Sequence, residues 1–293
     1  MERPPGNCRE GLGGLECVER PSPRANIRIV IPAFNESIRI APTLAEYCSH
    51  FGSRATVLVV ANGCTDQTGH VVRRAQNGFE NLQLIEVPTK IGKGGAIRVG
   101  LATGEEEFVG FVDADGSTSA GEFERLYTIA RQSRAEAVIG SRWLRGARVE
   151  PRQPLLRRFA SRGFNHIVRA LFSLDFQDTQ CGAKIFQRKA LRSILPDLEL
   201  CDFAADIELL WRLNRAGSSI IEIPTVWADR PSGTKVRVLA VSWNMLRSVL
   251  YLRLHNSRLS DVPLLELLRG PALMPTGSAQ DAWDFNVTGS VQH

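Results

Sequence analysis

Phe108-Val109-Gly110-Phe111-Val112-Asp113-Ala114-Asp115 decides how this chain is read: a short apolar run stops abruptly at two carboxylates around one small residue. Such a run is a buried strand, and its period of two puts Asp113 and Asp115 on the same side at the carboxyl end. Open α/β sheets bind ligands at that end. Two hard oxygen ligands there suit a divalent cation holding a diphosphate. Taken alone, Asp-Ala-Asp-Gly also reads as a solvated strand-end turn, so the decision rests on the flanking sequence.

Working outward, similar runs occur at 27–31, 56–60, 82–87 and 137–139, each short and bounded by turn residues. Helical spacing separates them: Ile40, Leu44, Tyr47 and Phe51 form one stripe, Thr65 and Asp66 cap a segment reaching Gln76, and 93–102 forms another helix. Right-handed crossovers built from this alternation give a Rossmann-like, mostly parallel sheet with helices on both faces. After Gly140 the pattern is mostly helical, with a late strand at 219–223, and no internal repeat is found.

With 293 residues and 43% hydrophobic content, the chain can bury one sizeable core. Nothing inside it reads as a linker, so a single α/β domain is expected over 26–258, with flexible tails at 1–25 and 259–293. The six cysteines show neither C-x-x-C pairs nor zinc-like spacing with the five histidines, which points to a reducing, cytoplasmic location. No secretory signal and no apolar window of about 18 residues is seen, so a place on the cytoplasmic face of a membrane would be peripheral.

The charge of +5 is unevenly spread. Eight arginines between Arg142 and Arg169 face one acid, Glu150, a local +7 that exceeds the whole-chain total. One-sign arginine clusters favour phosphate groups, nucleic acid or anionic lipid over a merely soluble face. The interleaved aromatics expected for base stacking are missing, so nucleic acid is not the expected partner.

Further polar clusters fall at the strand ends. Pro32-Ala33-Phe34-Asn35-Glu36 supplies a rigid turn, 61–68 leads into the capped helix, and Lys90-Ile91-Gly92-Lys93-Gly94-Gly95-Ala96 is a cationic loop opening a helix, which can receive phosphate. The last is neither a P-loop nor a dinucleotide fingerprint.

These motifs, followed in order by Gly140-Ser141-Arg142 and Asp178-Thr179-Gln180-Cys181-Gly182, resemble the family 2 glycosyltransferases of GT-A fold, and within them the dolichyl/polyprenyl-phosphate glucose and mannose synthases. The resemblance covers about 26–253. It implies a nucleotide diphosphate sugar donor, Mg2+ or Mn2+, and inversion at the anomeric carbon. Position by position, it sets Asp113 and Ala114 beside the donor diphosphate, Asp113 and Asp115 on the metal, and Pro32, Ala33, Asn35, Glu36 and Asn62 around the nucleotide. Lys93 would approach its phosphates or ribose. Arg142, Arg157 and Ser161 would receive the acceptor phosphate, with Arg158 competing for the place of Arg157. Ala61-Asn62 stands where relatives carry paired aspartates, and Ser117 where some offer a glutamine, so the base stays open.

A phosphate-monoester acceptor is already a dianionic nucleophile at neutral pH and needs no general base, whereas a hydroxyl acceptor needs a carboxylate within reach. The segment 201–208 bears on that difference. On a helix Asp202 and Asp206 share a face, Glu208 points away, and Phe203, Ile207, Leu210 and Trp211 form the core stripe. Asp206 is the candidate catalytic carboxylate, or it positions the donor sugar. His166 reads as structural or interfacial. The apolar stretch 236–254, broken by Arg237, Arg247 and Arg253, is either a packing helix or a contact with an anionic membrane surface. The expected function is hexose transfer to polyprenyl phosphate; the alternatives are a soluble hydroxyl acceptor in secondary metabolism, a nucleotidyltransferase and an RNA-binding module.

Overall fold

The computed structural model describes residues 25–150, 155–228 and 238–257, with the single positions 265 and 268. Both expected tails, apart from residue 25 and those two positions, lie outside the described residues, as do Arg152 and the 229–237 stretch. The chain alternates through β1 (Ile27–Ala33), α1 (Ile40–Phe51), β2 (Ala55–Asn62), α2 (Thr68–Gln76), β3 (Leu82–Val87), α3 (Gly92–Ala102), β4 (Phe108–Phe111), α4 (Ala120–Ser133) and β5 (Ala137–Ser141). It continues through β6 (Arg148–Glu150), α5 (Leu155–Phe172), β7 (Lys184–Gln187), α6 (Arg188–Arg192), α7 (Ala205–Arg215), β8 (Ile220–Pro224), β9 (Val226–Ala228) and α8 (Val238–His255).

Seven strands form one sheet in the order β3-β2-β1-β4-β7-β5-β8, parallel except where β7 runs against β4 and β5. From β1 the chain builds outward to β3, then returns to add β4 on the other side of β1. That reversal is a topological switch point, and it opens a crevice at the carboxyl ends of β1 and β4.

β1 is buried throughout, and period two sends its side chains alternately to both faces of the sheet. Ile27, Ile29 and Ile31 pack with Leu44, Tyr47 and Phe123 on one face, while Val30 joins Leu58, Ile97, Phe111 and Leu209 on the other. Both faces are covered, as the α/β reading requires. A third cluster joins Val168 and Phe172 of α5, Ile207 and Trp211 of α7, and Val249 and Leu252 of α8. Helix α8 is therefore a packing helix, although Trp243 stays 62% exposed. Among the described residues no helix is long and apolar enough to cross a membrane.

Three local readings need correction. Strand β4 ends at Phe111, so a turn, and not strand periodicity, aims Asp113 and Asp115. Helix α7 begins at Ala205, which leaves Asp202 in the preceding turn and Phe203 46% exposed instead of in the core. Helix α2 begins at Thr68 without a side-chain cap on its first turn from Gln67; Asp66 instead accepts the Thr68 N–H at 2.9 Å and the Ser37 N–H at 3.1 Å, tying the loop after β2 to the loop after β1.

Candidate active site

The crevice is assembled from segments that leave five different strands, β1 to β5. After β1 the backbone turns through Asn35 in the left-handed region, φ 55°, a conformation that Asn tolerates. Its Oδ1 accepts the Thr65 N–H at 2.8 Å and its Nδ2 donates to Thr65 Oγ1 at 3.2 Å, so Asn35 stitches the β1 and β2 loops. Pro32, Ala33 and Asn62 are buried beneath this stitch. Asn62 Nδ2 donates to the Ala33 carbonyl at 3.1 Å, while its buried Oδ1 has no hydrogen-bond partner among the described residues. Beside them Lys90 Nζ lies 4.2 Å above the ring centroid of Phe34.

Glu36 holds Arg39 through two hydrogen bonds, of 2.8 and 2.7 Å. Burial raises the pKa of Glu36, the Arg39 guanidinium opposes it, and the charges of Asp115 and Asp113 push the same way as burial. The buried carbonyl of Ala114 accepts from Thr43 Oγ1 at 3.1 Å, and Asp115 Oδ1 accepts the Ser117 N–H at 2.9 Å, which sets the turn after β4.

The glycine-rich first turn of α3 already uses part of its backbone within the protein. The Gly94 and Gly95 N–H groups both donate to the Cys201 carbonyl, at 2.8 and 3.3 Å. Packing requires the glycines: a Cβ on Gly94 would lie 2.3 Å from Ala205 Cβ, and one on Gly92, at φ +77°, 2.2 Å from that same carbonyl. Two of the N–H groups at this helix start are thus taken by a carbonyl, and the segment adds the Lys93 side chain to the crevice. Glu208, fully buried, anchors the carbonyl strand by accepting from the Glu199 and Leu200 N–H groups and from Arg212 Nε, which assigns it a structural task.

Lys93 Nζ lies 2.7 Å from Asp113 Oδ1 and 3.9 Å from Asp206 Oδ2. Desolvation would lower the lysine pKa, but these two carboxylates outweigh it and raise it. Burial likewise would raise Asp113, yet Lys93, with Lys184 and Arg142 further off, holds it below the usual carboxylate range. Asp115 goes the other way, raised by burial and by the neighbouring Asp113 charge. Gly182 makes room for this turn, since a Cβ there would fall 1.9 Å from Asp113 Oδ2.

On the far side of the crevice Arg142 clasps Asp178 with Nε at 2.7 Å and Nη2 at 2.9 Å, and its backbone N–H adds a third bond of 2.9 Å. Burial would raise Asp178; Arg142 reverses that and holds it low. Glu222 fixes the same loop through the Gln177 and Asp178 N–H groups. The Arg142 guanidinium also lies 5.5 Å from the Trp227 ring, and Arg162 lies 4.8 Å from the ring of Trp143. Ser161 is half-buried on α5 and His166 is exposed there; the side chains of Arg157 and Arg158 lie outside the described residues.

The structure therefore brings together Asp113, Asp115, Lys93, Asp206, Glu36 and the Asn35–Asn62 corner, and sets Arg142 apart from them on Asp178. Lys184 was missed from sequence. Fully buried at the start of β7, it lies 3.6 Å from Asp206 Oδ2. Its only sequence signal is a lysine opening an apolar run, Lys184-Ile185-Phe186.

Two carboxylates with no third protein ligand fit Mg2+ or Mn2+ bound mostly by diphosphate and water, not a closed protein cage. Among the described residues no group of three or more His, Cys, Asp or Glu could hold a metal by itself.

The sheet order, with paired carboxylates at its switch point, is that of a GT-A transferase. The chain belongs to glycosyl transferase family 2, whose sequence profile matches residues 28–195. It is 33% identical over 213 residues to a dolichyl-phosphate beta-glucosyltransferase of Trichomonas vaginalis, covering 68% of this chain and 63% of that relative. The human dolichyl-phosphate beta-glucosyltransferase is 29% identical over 249 residues, 80% of this chain and 76% of its own length. Among solved structures, glucosyl-3-phosphoglycerate synthase of Mycobacterium tuberculosis, in complex with Mn2+, UDP and glucosyl-3-phosphoglycerate, superposes with a TM-score of 0.60 at 18% identity, covering 78% of this chain and 80% of that one. That likeness concerns the fold.

Proposed function

We propose that this glycosyltransferase moves a hexose, of the glucose class, from a nucleotide diphosphate sugar to polyprenyl or dolichyl phosphate, with inversion. The names of the relatives support the acceptor class. The observation that carries the reading is the state of Asp206. It is 5% exposed and serves as counter-ion to two ammonium groups, 3.6 and 3.9 Å away. A carboxylate so committed is poorly placed to take a proton from an acceptor hydroxyl. A phosphate dianion carries no proton to be removed.

In this reading Asp113 and Asp115 hold Mg2+ or Mn2+ against the donor diphosphate. When bound, the cation neutralises charge developing on the departing diphosphate. Lys93, 18% exposed, adds a second positive group on the same side. Asn35, Glu36 and the buried walls Pro32, Ala33 and Ala114 shape the nucleotide corner, with Asn62 buried beneath it. Arg142, oriented by Asp178, presents its guanidinium to the acceptor phosphate together with Ser161 and Arg157. The lipid end of the acceptor is met at a bilayer surface, to which the arginines between Arg142 and Arg169 are drawn.

Asp206→Asn tests the phosphate-acceptor reading. Turnover of polyprenyl phosphate should fall no more than about 10-fold, whereas a general base would cost about 10²- to 10⁴-fold. A folded variant with collapse across that range and loss of the basic limb of the pH profile contradicts the proposal.

A further inference from the structure

Lys184 is the one lysine among the described residues at the crevice with no solvent exposure at all. Burying an ammonium costs several kcal/mol unless it is paired. Its partners are the Cys181 carbonyl, 2.6 Å from Nζ, and Asp206 Oδ2 at 3.6 Å, and the Phe111 ring centroid lies 5.2 Å from Nζ. It stands on a rigid mount, because its backbone is paired with Phe111 of β4 and with Ile139 of β5. Lys93, by contrast, leaves a helix start and keeps part of its side chain in solvent.

Asp206 thus lies between a fixed cation and a movable one. If Lys93 were its sole counter-ion, that ammonium would be divided between Asp206 and Asp113. Instead Lys93 sits 2.7 Å from Asp113 and 3.9 Å from Asp206. We propose that Lys184 is a positioning residue: it neutralises and fixes Asp206 from beneath, so that Lys93 is released to serve Asp113 and the donor phosphates, and Asp206 keeps its place beside the sugar. Lys184 acts chiefly through Asp206, its charge reaching Asp113 more weakly than that of Lys93 does, and it touches no substrate. The functional half of this inference rests on the donor-site reading above, whereas the pairing does not.

A double-mutant cycle tests it, with Lys184→Met, Asp206→Asn and the two combined, read both by thermal midpoint and by kcat at saturating donor. Removing one member of a buried pair leaves an uncompensated charge, while removing both does not. The midpoint should therefore drop in Lys184→Met and recover most of that drop in the double variant. For kcat, each single variant should lose about 10-fold and the double variant about 10-fold again in total, not about 100-fold. Additive losses in either readout overturn the proposal, because a lysine needed only for packing would add its own cost. Should Lys184→Met fail to fold, the double variant decides: recovery of folding with the kcat of Asp206→Asn supports the pairing, and failure to fold overturns it. If the wild type transfers no hexose, the proposed function fails, and the midpoint cycle still decides whether Lys184 holds Asp206.

Discussion

Asp113 and Asp115 occupy one turn and are pushed in opposite directions, Asp113 held ionised by Lys93 and Asp115 raised by burial and by the Asp113 charge. A carboxyl whose folded pKa is raised contributes stability below its unfolded value and loses it as pH rises through the folded one. In its ionised form Asp115 is therefore a cost to the fold. Asp115→Asn should leave the thermal midpoint of the metal-free protein unchanged or raised, while activity falls at least about 100-fold through loss of a charged ligand. Chelation of the wild type should do the same to activity. A midpoint that falls in step with activity, or full turnover in chelator, would assign Asp115 to structure. These carboxylates were legible in the sequence because an apolar run ended on them. Lys184 was not: a buried cation is recognisable only once its partners, distant in sequence, are assembled around it.

Among the elements, α3 is placed by a contact that no local pattern announces. Its glycines admit the Cys201 carbonyl and the start of α7 so closely that Lys93 is delivered to Asp113 by helix packing. Gly94→Ala should push α3 from α7, costing about 1–3 kcal/mol by denaturant titration and raising the donor KM as Lys93 is displaced. Gly182→Ala should act more locally, since the nearest atoms its Cβ meets are those of the Asp113 carboxylate: kcat/KM falls by about 10²-fold, as a displacement near 1 Å can cause, with a smaller loss of stability. Equal activity in the Gly182 variant would mean that the observed Asp113 position is not the working one. The first four strands and the helices between them were readable from period and turn chemistry. Strand β7 was not, because four residues opening on a lysine carry no alternation, and its antiparallel entry breaks the βαβ rule that served earlier. Phe203 was misassigned because helix α7 starts two residues after it.

At the scale of the whole molecule, the arginine-rich half is tied to the sheet through Arg142 and Asp178. Asp178 is depressed by Arg142 against the effect of burial, so its contribution to stability is present above the unfolded carboxylate value and is lost as pH falls through the folded one. Arg142→Ala should cost about 3–5 kcal/mol by leaving a buried carboxylate unpaired. That variant should also flatten the acid side of the stability profile, measured by denaturant midpoint from neutral pH downward; an unchanged acid limb would show that the pair does not carry it. The fold class was visible from alternation alone, and the strand-end residues that the structure gathers at the crevice were visible from their positions after apolar runs. Arg142 was singled out by an excess of charge and by the family resemblance, but its pairing with Asp178 was not legible, because sequence does not show which arginine a carboxylate already holds. The most direct test of the account is mass spectrometry of the products formed when the full chain is incubated with Mg2+ or Mn2+, a panel of nucleotide sugars and a short polyprenyl phosphate. The account predicts a hexosyl-phosphate polyprenol with inverted anomeric configuration and one nucleoside diphosphate released per transfer. Pyrophosphate release, or hexose found only on hydroxyl acceptors, would contradict it.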